Sequence, residues 1–174
     1  TGRNLTIGSL CTHAQISNSL EIQEKIPGLA ELAGQIGDPQ VRHKGTIGGS
    51  VANADPAADY PSAVLALNGE IITSNGAHTA ENFFVDMFET ALKPDEIITE
   101  IRLDIPSSST YKKFRNPASG YAMVGVFVAR YENDVKVTIT GAERKVYHMY
   151  EIESLLKRSF DTSILEDINI DTTN

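Results

Sequence analysis

The sequence predicts an α+β protein built on antiparallel sheet, and three observations carry that prediction. Residues 4–10 alternate apolar and polar side chains, the period of a strand with one buried face. The Asn-Gly pairs at 68–69 and 75–76 lie where hairpin turns would join neighbouring segments. Between these signals, residues 27–36 place Leu29, Leu32, Ala33 and Ile36 on one helical face.

Taken in order, residues 4–10 are the first strand, and Thr12 or Ser17 caps a helix near 13–19. A second helix covers 27–36, with Pro27 at an early helical position, and Gly37-Asp38-Pro39 ends it. A glycine-containing loop follows at 46–50. The apolar segment 60–67 then runs into Asn68-Gly69, with 70–74 as the returning strand and Asn75-Gly76 as the next turn. Residues 81–88 are rich in aromatics, and Pro94 marks a turn into a strand that runs through Ile105. Pro106-Ser107-Ser108-Ser109 break the pattern and make the best domain boundary. Beyond it, 122–131 and 135–142 read as hairpin strands joined by Glu132-Asn133-Asp134, and 150–158 and 163–169 read as helices.

The 174 residues suffice for one domain or two small ones, and 41% apolar with 22% charged residues is ordinary globular composition. Fifteen Lys and Arg against 23 Asp and Glu leave a net charge of −8, which argues against a nucleic-acid or anionic-membrane surface. A small anionic cofactor stays compatible with that charge. Cys11 is the only cysteine, so there is no internal disulfide and no iron–sulfur cluster held by this chain. It reads as a small buried apolar residue. No apolar run approaches the roughly 20 residues of a membrane span, and a cytoplasmic protein is the expectation. His13, His43, His78 and His148 show no paired spacing, so no metal site is expected. No protein nucleophile is expected either.

Thr46-Ile47-Gly48-Gly49-Ser50, followed by a carboxylate at Asp59, is the stretch with chemical content. Paired glycines bring backbone N–H groups close to an anion, and a carboxylate accepts from sugar hydroxyls, as a nucleotide-like cofactor requires. Alone, the glycine pair fits a hairpin turn equally well.

The order of motifs says more. Leu5-Thr6-Ile7-Gly8-Ser9 and Pro27-Gly28-Leu29 are followed by Gly37-Asp38-Pro39-Gln40-Val41-Arg42 leading into Gly45-Thr46-Ile47-Gly48-Gly49-Ser50. Asp59-Tyr60-Pro61 and Ala91-Leu92-Lys93-Pro94-Asp95-Glu96-Ile97-Ile98 come after. In this order the chain resembles the FAD-binding medium subunit of the molybdenum hydroxylases, the group of carbon monoxide dehydrogenase and xanthine dehydrogenase.

The resemblance implies that residues 1–106 are the second half of an FAD-binding domain, an antiparallel sheet with helices. Residues 107–110 are then a linker, and 111–174 an incomplete small α+β sandwich domain. It implies an electron relay: an iron–sulfur small subunit carries electrons from a molybdopterin large subunit to FAD, which passes them to NAD, a quinone or oxygen. Thr46, Ile47, Gly48, Gly49 and Ser50 match the family's second FAD loop, on the pyrophosphate. Asp59 matches a carboxylate on the flavin's sugar-like chain. Leu92 matches an apolar residue against the flavin ring, and Ile36 matches a similar one. Lys112 falls where a lysine approaches the flavin, and Tyr121 where a ring shield would stand. Each also has a plainer reading: Asp59 as a helix cap, Leu92 and Ile36 as core, Lys112 as a surface lysine, and Tyr121 as strand packing.

The family's earlier glycine-rich loop has no counterpart here, nor does the short C-terminal motif. The chain thus resembles its relatives without their N-terminal FAD lobe and extreme C-terminus. With charge-assisted bonds worth roughly 1.5–3 kcal/mol each, the 174 residues alone are expected to bind FAD poorly. Two other readings compete: a docking or assembly domain that keeps the scaffold without flavin, and a flavin oxidase related by fold only. The absence of an acid/base constellation argues against the last.

Overall fold

Alternate burial along the strands sets the inner face of the first sheet. In the computed structural model, which describes residues 4–161 and 163, β1 (Asn4–Gly8) turns Leu5 and Ile7 inward. It pairs antiparallel with β6 (Ile98–Asp104), which pairs with β2 (Glu70–Thr73), and β2 with β3 (Gly76–Thr79), in the order β1-β6-β2-β3.

Six short helices separate β1 from β2: α1 (His13–Asn18), α2 (Leu20–Lys25), α3 (Pro27–Gly34), α4 (Pro39–Lys44), α5 (Ile47–Asn53) and α6 (Tyr60–Ala66). Thr12, not Ser17, caps α1 in a reciprocal capping box with Gln15. Neither α2 nor α4 is visible in the periodicity. Each is six residues long, α2 buries only Ile22 and α4 buries nothing, so no apolar stripe announces them. Pro39 opens α4 instead of merely ending α3: Asp38 accepts from the Val41 N–H at 2.8 Å, with proline at the first helical turn.

Two further expectations are corrected. The segment 46–50 is the first turn of α5, not a loop. Asn68-Gly69 ends a helix instead of closing a hairpin: Asn68 takes φ 48° and the Gly69 N–H returns to the Val64 carbonyl at 2.8 Å. A short apolar run reads as strand or helix alike, and here Pro61 at the first turn favours helix. Asn75-Gly76 does form the β2–β3 turn.

After β3 come α7 (Ala80–Phe83) and a two-stranded ribbon, β4 (Phe84–Asp86) and β5 (Glu89–Thr90). The second sheet has the order β10-β9-β8-β7, from β7 (Ser108–Arg115), β8 (Ala122–Arg130), β9 (Val135–Thr140) and β10 (Tyr147–His148). Ser108 already pairs with Arg130, so β7 begins inside segment 107–110. Helix α8 (Tyr150–Arg158) lays Leu156 on Val135 and Val137. The helix expected at 163–169 lies outside the described residues, apart from Ser163. No helix among the described residues is long and apolar enough to cross a membrane.

α6 is buried on every side, as a helix without a polar face must be, and it docks on β9 through hydroxyls. Thr138 donates to the Ser62 carbonyl at 2.7 Å, and Thr140 to the Ala58 and Pro56 carbonyls. α3 covers the open edge of β7, where unpaired backbone would otherwise face water. Glu31 accepts from the Tyr111 N–H at 3.3 Å and from Lys112 Nζ at 2.7 Å. Gly28 permits the approach, because a Cβ there would lie 2.8 Å from the Thr110 nitrogen. One core cluster therefore draws on both sheets, including Ile71 and Ile101 from the first and Tyr111 and Phe127 from the second.

Candidate functional site

Thr46 takes an extended conformation and caps α5, its Oγ1 accepting from the Gly49 N–H at 3.1 Å. The chain just before α1 runs antiparallel beside it. The Ile47 N–H donates to the Cys11 carbonyl at 3.1 Å and the Gly48 N–H to the Ser9 carbonyl at 2.9 Å. The amides of residues 47, 48 and 49 therefore all have partners inside the protein, and they are not the bare donors that the glycine pair suggests. Gly48 is required by this packing, since a Cβ would fall 2.5 Å from Ser9 Cβ and 2.7 Å from its carbonyl oxygen. Gly49 is the exposed glycine, with Ser50 half-exposed beside it.

Asp59 precedes α6, yet its side chain caps nothing. It is buried, and its carboxylate accepts from the Tyr111 hydroxyl and from Lys113 Nζ at 3.0 Å. Burial pushes its pKa up, and the hydrogen bond from Tyr111 and the charge of Lys113 offset part of that. Burial first, and the neighbouring Asp59 charge second, push Tyr111 up. Gly125 makes this contact possible: a Cβ there would overlap the Tyr111 hydroxyl at 2.2 Å. Gly125→Ala is expected to drive that hydroxyl off Asp59 and cost about 1–3 kcal/mol, read as a lower urea midpoint.

Lys113 is fully enclosed, its side chain 1% exposed, and Nζ also donates to the Gln35 carbonyl at 3.2 Å. Arg115 reaches Gln35 Oε1 at 3.3 Å. Next along the chain, Arg42 Nη1 donates to the Ile36 and Gly37 carbonyls at 3.0 and 2.8 Å. Ile36 is half-buried against the core. Tyr121 is exposed at the start of β8, next to Ala122, which pairs with Arg115.

Lys112 points the other way, 78% exposed and paired with Glu31. The reason is the two-residue strand period: Tyr111 is buried, so Lys113 and Arg115 share its side and Lys112 does not. That rule, applied to Tyr111 as the buried anchor, was the available signal for Lys113. Gln35 and Arg42 carried no such signal, because the helix end they organise depends on contacts from distant parts of the chain.

Leu92 is half-buried against the core on the turn before β6. Glu96 anchors that turn, accepting from Thr73 Oγ1, from the Lys93 N–H at 3.1 Å and contacting His78 Nε2 at 3.0 Å. Thr73 first, then His78 and the Lys93 N–H, lower its pKa from 4.5 to about 2. The sign follows from the ionised form being favoured in the folded state. This contribution is complete above pH 4.5 and is lost as pH falls from there through about 2. Urea titrations at falling pH are expected to show the wild-type advantage over Glu96→Gln shrinking in that window.

Two concavities are lined by other residues. One of about 260 Å³ runs beside β1, lined by Leu5, Ile7, Cys11 and Ile22 among others, and one of about 140 Å³ lies near Phe84, His148 and Tyr150. Among the described residues no group of three or more His, Cys, Asp or Glu is arranged to hold a metal.

The architecture is an antiparallel sheet packed through α3 and α6 against a second antiparallel sheet, with a capped Gly-Gly helix start and a buried aspartate ahead of α6. A family profile described as the FAD binding domain in molybdopterin dehydrogenase matches residues 1–107, and the chain belongs to that family. It is similar to the nicotine 6-hydroxylase medium subunit of Paenarthrobacter nicotinovorans, 33% identical over 168 residues, which is 91% of this chain and 59% of that protein. It is similar also to the glyceraldehyde dehydrogenase medium chain of Sulfolobus acidocaldarius, 31% identical over 176 residues, covering 94% and 63%. The chain thus spans less than two thirds of either relative. Among solved structures, carbon monoxide dehydrogenase from Hydrogenophaga pseudoflava superposes with a TM-score of 0.75 at 28% identity, over 85% of this chain and 56% of that one.

The residues present fit an FAD in part. Thr46 and Ser50 offer hydroxyls at the positive end of α5, Gly49 offers a surface without a side chain, and Asp59 has acceptor capacity beyond its two partners. The amide cradle does not fit, because its donors are engaged.

Proposed function

We propose that this chain is the FAD-binding, electron-transfer part of a molybdenum hydroxylase-type dehydrogenase. It receives electrons from an iron–sulfur partner, fed by a molybdopterin subunit, and passes them to an acceptor such as NAD, a quinone or oxygen. The family match across residues 1–107 is the observation that carries this reading. FAD supplies the redox chemistry when bound, and the protein's share is to hold it and tune it. Thr46, Gly49 and Ser50 would face the pyrophosphate, with Ile47 and Gly48 shaping the turn beneath. Asp59 would accept from the sugar-like chain, Ile36 and Leu92 would lie against the ring, and Tyr121 would shield it. On this reading residues 1–106 belong to the FAD-binding domain and 111–174 to a second α+β domain joined through 107–110.

One observation favours the second reading, a docking or assembly domain without flavin: the amides of residues 47–49 and the Asp59 carboxylate are already bonded within the protein. Purifying the full-length gene product with its partner subunits separates the two. Stoichiometric flavin absorbance, bleached by an artificial electron donor, supports the flavoprotein reading. A colourless complex that takes up no added FAD supports the docking domain.

A further inference from the structure

The C-terminal end of α3 is held in an unusual way. Three consecutive carbonyl oxygens, of Gln35, Ile36 and Gly37, each accept a hydrogen bond from a cationic side chain of another element: Lys113 for the first and Arg42 for the other two. Cations suit the negative end of a helix and satisfy carbonyls that have no partner within it. Lys113 does something Arg42 does not. The same ammonium that caps Gln35 also binds the Asp59 carboxylate, so one enclosed charge ties the end of α3 to the start of α6 from a strand of the other sheet.

We propose that Lys113 is a positioning residue of the cofactor site, fixing Asp59 and the backbone of residues 35–36 in a single geometry. The inference rests on the flavin-binding reading above. The Lys113 ammonium is taken up by its two acceptors, so it acts through them. Tyr111 holds the other carboxylate oxygen, and the two donors together leave Asp59 one orientation. An ammonium has three donors, which lets Lys113 serve both acceptors at once; a methionine of similar length serves neither. Arginine keeps the charge but needs a wider space than the enclosed ammonium occupies.

FAD affinity of the full-length gene product, measured by flavin fluorescence on titration, tests this with Lys113→Met, Lys113→Arg, Asp59→Asn and the double variant. Lys113→Met is expected to weaken FAD binding about tenfold or more, as loss of charged hydrogen bonds around a ligand group does. Lys113→Arg is expected to recover part of that. If Lys113 works through Asp59, the two single effects do not add, and the double variant binds about as weakly as the worse single one. The double variant also removes both buried charges, so it keeps its fold if Lys113→Met alone does not, which circular dichroism checks. Wild-type affinity in a folded Lys113→Met or double variant overturns the proposal, as do additive single effects. A wild-type protein that binds no FAD removes the flavin reading itself and this inference with it.

Discussion

Asp59→Ala is expected to lower the stability of the folded chain by about 3–5 kcal/mol, the usual cost of stranding one member of a buried charged pair. Three facts set that size. The carboxylate and the Lys113 ammonium are both enclosed, at 6% and 1% side-chain exposure, so water cannot replace the lost partner. Tyr111 loses its hydrogen-bond acceptor in the same stroke. Finally, the residues concerned join α6 to β7, so the loss acts on the interface between the two sheets rather than on one loop. Burial raises the Asp59 pKa despite its two donors, which says that the pair is not itself a large source of stability. Replacing both charges is therefore expected to cost much less than replacing either. A urea denaturation series on Asp59→Ala, Asp59→Asn and Asp59→Asn/Lys113→Met reads this directly. A near-wild-type midpoint for Asp59→Ala would show that the carboxylate is not paired as described.

Gly48→Ala is the second large effect, about 1–3 kcal/mol or more from overpacking. The added methyl group would meet the Ser9 backbone, at 2.7 Å from its carbonyl oxygen, and backbone cannot step aside as a side-chain tip can. The Gly48 N–H bond to Ser9 would stretch with it, loosening α5 from the end of β1. Gly49→Ala is the informative comparison. Gly49 is exposed and a Cβ there would meet only the Thr46 Oγ1 side-chain atom, at 3.1 Å, so its stability cost is expected to be smaller. On the flavoprotein reading, Gly49→Ala instead weakens FAD binding, because its methyl group occupies the surface offered to the pyrophosphate. Thermal melts and FAD titration on the same two variants separate a structural glycine from a ligand-facing one.

Particular residues show why parts of the fold were legible. Strand β1, the β8–β9 hairpin and α8 have periodic patterns carried by neighbours in sequence, and they lie where the patterns place them. The six-residue helices α2 and α4 have no such pattern, because a helix that buries one side chain or none is maintained by caps and neighbours. Asn68-Gly69 misled for a related reason. A left-handed residue followed by glycine ends a helix as readily as it turns a hairpin, and only the conformation of the preceding run decides between them.

The candidate site divides in the same way. The ordered motifs from Leu5 to Ile98 sufficed to place the chain in its family, since chain order survives without coordinates. That Thr46 caps a helix and that Gly49 is the open glycine of the pair came only with the structure. Which lysine approaches Asp59 was decided only by the tertiary structure. Strand β7 passes α3 and α6 with Tyr111 anchored in the core, and the two-residue period then turns Lys113 in and Lys112 out. The engagement of the glycine amides was decided there too, by a strand end about 35 residues upstream in sequence that folds against them. A hydrogen-bond partner is a matter of proximity in space, and a sequence records proximity only along the chain.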